Sequence, residues 1–246
     1  MATKIFNFAG ADHKVGTTML VQSIADSLMK HHPDRKVLVL HLDGREGGDF
    51  ISKPQTAPNI DTLFQPLMQH VAKYSELSEL FITESSVSTL LGCSSNDNCV
   101  RYTPKVTQDI INLCKDYFDI VLIDSGATTH WNGLAVGAFE YDCPNVLVTT
   151  QQESAYTNFF NQSHDVYMRF TTSWDAVIVN RFVFATGNFL KGEKETYERY
   201  GFTQGGYCVI NADSALQAES DHKSLYIYDK RFVKDIDLIT ENLILG

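Results

Sequence analysis

At 246 residues, 43% hydrophobic and with a formal charge of -10, the chain is long enough to bury one large core. It is also too acidic to coat nucleic acid, which is held through Lys and Arg on phosphates. No apolar run reaches the length of a membrane span, about eighteen residues. The five cysteines show no CxxC or Cys/His ligand spacing, which argues against a disulfide framework or a structural zinc site. With no charged-then-apolar leader pattern at the N-terminus, the expected compartment is a reducing cytoplasm.

The first element is a strand from Lys4 to Gly10, in which Ile5, Phe6, Phe8 and Ala9 form a short apolar run. A helix follows, with Met19, Leu20, Ile24 and Leu28 at the spacing of one buried face. The loop between them ends in Gly16, Thr17 and Thr18. Strand, glycine-containing loop and hydroxyl-led helix form the arrangement that cradles phosphate, because backbone N–H groups and the helix dipole face the anion. The match to G-x-x-x-x-G-K-[ST] is incomplete. Ala11 stands at the first glycine and Thr17 at the lysine, so the loop lacks its usual cationic contact with the phosphates.

After a polar turn from His31 to Arg35, residues Lys36 to Leu42 read as an inner strand of a parallel sheet. It ends in an acidic loop, Asp43 to Asp49, at the edge where such sheets place ligands. Residues 50 to 103 are less regular. Ile60 to Tyr74 has helical spacing, Leu77 to Phe81 starts a second short helix, Val87 to Leu91 reads as a strand and Gly92 to Asn98 as a loop. Pro104 opens a helix whose apolar face is Val106, Ile110, Leu113 and Cys114.

Phe118 to Asp124 is the clearest strand, and the chain then reads Ser125, Gly126, Ala127. Further strands are expected at Asn145 to Thr150, Ala176 to Asn180 and Gly205 to Asn211, with helices over Ser154 to Phe170 and Phe232 to Leu245. Alternating strands and helices predict an α/β fold: residues 1–246 as one domain, a doubly wound, mostly parallel sheet with helices on both faces.

Three strand ends thus carry polar groups that a crevice would bring together: Thr17 and Thr18, Asp43, and Asp124. An acid closing a hydrophobic strand downstream of a phosphate loop is the Walker B arrangement. In order and spacing, with Val177 to Arg181 as a fourth matching segment, the chain resembles the MinD/ParA family, the deviant Walker A ATPases of the SIMIBI class. The resemblance implies ATP and magnesium as ligands and a homodimer that holds ATP between its subunits. It implies that Lys14, Val15, Gly16, Thr17 and Thr18 wrap the phosphates. Thr18 and Asp124 would serve the magnesium, Asp43 would position the attacking water, and Asn180, with Arg181 beside it, would read the adenine edge.

Departures from the family pattern bear on activity. The signature lysine aligns with Asp12 and the second lysine with Thr17, and the usual D-x-D is His41, Leu42, Asp43. Hydrolysis is therefore expected to be slow or absent. Lys14 either reaches the phosphates or points to solvent. His13 and His41 have no third residue at metal-ligand spacing. The loop ending in Gly16, Thr17 and Thr18 looks most like the TadZ/CpaE branch, which implies a protein partner in a pilus or secretion assembly. Two other readings remain: a pseudo-ATPase interaction module that binds no nucleotide, and a DNA-partitioning ATPase. The basic patch that the latter needs is limited to Lys191, Lys194, Arg199 and Lys223, each diluted by acidic neighbours. A Rossmann dehydrogenase fails for want of G-x-G-x-x-G after the first strand.

Overall fold

The computed structural model describes residues 2–44, 47, 49–51, 56–127, 132–170, 174–184, 193–202 and 204–246. In chain order the elements begin β1 (Lys4–Gly10), α1 (Thr17–His31), β2 (Val37–His41), a 3-10 turn (Ile60–Leu63), α2 (Phe64–Met68) and α3 (Tyr74–Ser78). Next come β3 (Ile82–Glu84), β4 (Val87–Leu90), α4 (Asn96–Cys99), α5 (Pro104–Cys114), β5 (Ile120–Ala127), α6 (Gly133–Phe139) and β6 (Asn145–Thr149). α7 (Glu153–Asn158) runs through a π segment (Phe159–Ser163) into α8 (His164–Tyr167), and β7 (Ala176–Val179) follows. The chain closes with α9 (Glu193–Tyr200), β8 (Gly205–Tyr207), α10 (Ala212–Ser220), a 3-10 turn (Leu225–Ile227) and α11 (Lys230–Ile239), which ends in a second π segment (Thr240–Leu245).

The strands form one eight-stranded sheet in the order β3-β4-β2-β5-β1-β6-β7-β8, parallel throughout except where β3 meets β4. The expected doubly wound α/β sheet is what the chain forms. Residues of the inner strands alternate between two buried faces, which explains why their sequences are continuously apolar. Val37 and Val39 of β2 and Leu122 of β5 pack with Leu20 and Ile24 of α1 and with Phe232 and Ile236 of α11. Leu38, Leu40 and Ile123 face the other way, against Ile110 of α5 and Leu134 of α6. Register then fixes the strand ends: His41 of β2 lies opposite Asp124 of β5, and Gly10 of β1 opposite Ala127 beyond a slip after Phe8.

Several expected elements take a different form. The helical spacing from Ile60 to Tyr74 does not make one helix. Its chain reverses at His70, whose φ of 57° is left-handed, and the N–H groups of Val71 and Ala72 both return to the Pro66 carbonyl. Residues 82–84, beyond the short helix expected at Leu77, instead form an antiparallel edge strand, closed by a turn with Ser85 at φ 55°. The expected strand from Gly205 to Asn211 stops at Tyr207, because carboxylates compete for its later amides: Asp235 accepts from Val209 N and Asp229 from Asn211 N. α6 and α10 were not anticipated. Asn132 and Asn211 cap them, with side chains accepting from Ala135 N and from Asp213 and Ser214 N.

Among the described residues no helix is long and apolar enough to cross a membrane. Cys114 and Cys208 are fully buried, and burial pushes the Cys114 thiol up to about 12. Of the basic-patch residues, Lys191 and the side chain of Lys194 lie outside the described set, and Arg199 pairs with Glu195 at 3.6 Å.

Candidate nucleotide-binding site

The loop after β1 is folded tightly over Gly10. A Cβ there would lie 2.8 Å from Thr17 Oγ1 and 2.9 Å from Val15 Cγ2. Gly16, at φ 90°, is the N-cap of α1, so no side chain caps the helix and its first N–H groups face the space above the loop. That space is a cavity of about 550 Å³, within the range of small-molecule sites. Lys14, Gly16, Thr18, Asp43, Arg181 and Glu219 lie on its wall. It opens at the carboxyl ends of β1, β2, β5 and β7, where a doubly wound sheet reverses its strand order.

The residues picked out from sequence occupy distinct layers. Val15, Gly16, Thr17, Thr18 and Asp43 reach the wall. Asp43 is held close to β5, since a Cβ on Gly126, at φ 65°, would clash with its own Cβ. Asp124 sits behind, fully buried. One carboxylate oxygen is 3.3 Å from His41 Nδ1 and the other accepts from Gly126 N at 3.0 Å. Asp124 does not line the cavity, and its two hydrogen-bonded neighbours hold it behind the wall. Thr18 and Asp43, which do line the cavity, carry a hydroxyl and a carboxylate of the kind that suits magnesium, which binds through few protein oxygens and keeps several waters.

Asn180 also lies behind the wall. It is fully buried, donates from Nδ2 to the Val15 carbonyl at 2.8 Å and accepts at Oδ1 from Arg181 N. Its amide braces the loop after β1, and Asn180 is not among the residues that line the cavity. Arg181, next along the chain, does reach the wall.

Asp12 and Thr17, where the resemblance would place lysines, have their own partners. Asp12 turns back on the chain: Oδ1 accepts from His13 N at 2.7 Å, and Oδ2 from Asn158 Nδ2 of α7 at 2.8 Å. Thr17 is buried against Gly10. His13 is exposed while His41 is buried, and no cluster of three His, Cys, Asp or Glu able to hold a metal occurs among the described residues.

Sequence reasoning missed Glu219 of α10, Phe50 and Asn158, and had Asp49 only as the end of the acidic loop at the ligand edge. Glu219 had a signal, since Asn211 followed by Asp213 announces a helix start just ahead of it. Asn158 had none.

No protein-family model and no curated protein matches the chain. Solved structures do. A ParA family ATPase from Chlorobium tepidum TLS superposes with a TM-score of 0.82 at 17% identity, covering 98% of this chain and 99% of that one. The chain has the ParA/MinD fold. The septum site-determining protein MinD from Pyrococcus horikoshii OT3, complexed with Mg-ADP, gives a TM-score of 0.78 at 15% identity over 99% and 98% of the two chains. An McdA–ATP complex from Cyanothece gives 0.73 at 13% over 99% and 96%. At such identities the likeness is one of fold, and it extends over the whole chain.

Proposed function

We propose that this protein is a nucleotide-dependent switch of the ParA/MinD kind, binding ATP with magnesium and hydrolysing it slowly or not at all. The observation that carries this reading is the convergence of Gly16, Thr18 and Asp43 on one cavity at the sheet's carboxyl edge. Similar folds hold Mg-ADP and ATP in MinD and McdA. In this reading the amides at the start of α1 bind phosphate, the Thr18 hydroxyl faces the metal and Asp43 orients water. The magnesium would supply charge neutralisation between the phosphates. Asp124 acts through His41 and the Gly126 amide, holding the β2 and β5 ends that carry Asp43. With Asp12 and Thr17 where lysines would stand, stabilisation of the transition state is reduced, and a rate about a hundredfold or more below that of a lysine-bearing loop follows.

A homodimer formed over the cavity, a cytoplasmic location and a docking role in a pilus or secretion assembly complete the proposal; a MinC:MinD complex from Aquifex aeolicus is a precedent for a protein partner on this fold. The alternative, a pseudo-ATPase that binds no nucleotide, is favoured by one feature: Asp12 adds a carboxylate to a wall that already carries Asp43, Asp49 and Glu219.

The test is a thermal shift with ATP, ADP and GTP, with and without magnesium, on the parent and on Thr18→Ala. Thr18 is the better variant because it is half-buried, whereas Asp124 lies in the core. A magnesium-dependent rise with ATP that Thr18→Ala loses is expected, since ligand binding to the native state raises the midpoint by mass action. No shift with any nucleotide at millimolar concentration leaves the pseudo-ATPase.

A further inference from the structure

The phosphate loop has lost its cations by sequence, yet two others approach it from either side. Among the described residues, five non-glycine residues have left-handed backbone, and two of them, Lys14 at φ 59° and Arg181 at φ 54°, lie on the cavity wall. They flank the same point. Lys14 precedes Val15 and Gly16, while Arg181 follows Asn180, whose amide is hydrogen-bonded to the Val15 carbonyl and pressed against Gly16. Both side chains are exposed, and among the described residues neither makes an ion pair.

We propose that Lys14 and Arg181 form a two-sided cationic clamp on the phosphates, replacing the contact that Asp12 and Thr17 no longer make. This rests on the nucleotide-switch reading and names the groups that neutralise its ligand. A polyphosphate entering this cavity meets the carboxylates of Asp43, Asp49 and Glu219. Asp12 adds a fourth carboxylate to that wall, and the Thr17 hydroxyl is neutral and buried, so neither offsets that charge. The left-handed turn at each position aims the side chain out of the path an extended residue would take. Neither position holds glycine, the residue that adopts this conformation without steric cost. The Arg181 guanidinium offers paired donors to phosphate oxygens, and the Lys14 ammonium acts as a point charge.

Titration calorimetry of the full chain with Mg-ATP and with Mg-tripolyphosphate, which has no base or sugar, tests the clamp. Lys14→Gly and Arg181→Gly are each expected to weaken both ligands about tenfold or more, as loss of a charge-assisted hydrogen bond does. Their ligand-free melting temperatures should not fall below the parent's, because glycine relieves the left-handed strain. Lys14→Arg should stay within about threefold of the parent, since it keeps the charge, whereas Arg181→Lys should fall between the parent and Arg181→Gly, because it keeps the charge and loses the paired donors. If a glycine variant loses stability, Lys14→Met and Arg181→Met decide, as they remove the charge and keep a side chain at the same backbone. Parent binding with unchanged affinity in the charge-removing variants overturns the clamp and leaves the switch standing. A parent that binds neither ligand overturns the switch itself, and the clamp with it.

Discussion

Gly16 satisfies two demands at once. Its φ of 90° lies where a Cβ is strained, and that Cβ would clash with Asn180 Nδ2, the donor that holds the Val15 carbonyl. Gly16→Ala is therefore expected to cost about 2–4 kcal/mol, from backbone strain and the broken brace together, read by urea unfolding. A second residue sits outside the cavity. Burial pushes the Asp26 carboxyl on α1 up to about 6, against hydrogen bonds from Ser224 and Gln22 that pull it down and the negative charge of Glu84 that pushes it further up. Because the folded state then holds this proton more tightly than the unfolded chain, stability falls as pH rises from about 4 to 6 and the penalty is complete above that. Asp26→Asn should stabilise the protein by roughly 1–3 kcal/mol at pH 8 and change little near pH 4, measured by denaturant titration at both. At this scale the sequence was legible where residue type and position coincide. Thr18 and Asp43 reach the cavity as their motifs imply. Asn180 and Asp124 do not, because whether a polar side chain at a strand end faces ligand or neighbour depends on partners remote in sequence, here Val15 and His41.

Between elements, a cluster of side-chain hydrogen bonds lies far from the cavity, where α11 closes over the end of α1. Asp237 accepts hydrogen bonds from Ser27 at 2.7 Å, from the Tyr226 hydroxyl and from His31, while His32 meets Glu241 at 2.9 Å. Burial alone would raise the Asp237 pKa, but the Tyr226 and Ser27 hydroxyls and the nearby His31 outweigh it and hold it below the usual carboxylate range. Its contribution is full above about pH 4 and is lost as pH falls through the lowered value. Asp237→Ala should cost about 1–3 kcal/mol at pH 7 and progressively less in acid. Ile236→Ala, emptying a fully buried site on the same helix, should cost about 2–5 kcal/mol with no pH dependence. The C-terminal helix was readable from its apolar spacing, and so were α1, α5 and the inner strands. The limits of α2 and α3, and β3 altogether, were not, because in short elements a single left-handed residue such as His70 or Ser85 overrides periodicity.

At the scale of the whole molecule, the alternation of apolar strands with amphipathic helices left few topologies open, and the parallel sheet follows from it. The antiparallel edge escaped notice because β3 is three residues long and carries no apolar alternation. The net charge of -10 belongs to this scale as well. Its field opposes duplex DNA at long range, so the purified protein should pass a DNA-affinity column at about 150 mM salt with or without ATP. Retention there, released by higher salt, would revive the partitioning reading.

The bond from Asn158 to Asp12 ties the loop after β1 to the last turn of α7. A lysine at position 12 would end that tie in its present form, because an ammonium only donates and the Asn158 amide would have to turn its oxygen toward it. The loop and α7 are therefore one unit for anyone redesigning the site: a change at position 12 is read out at position 158.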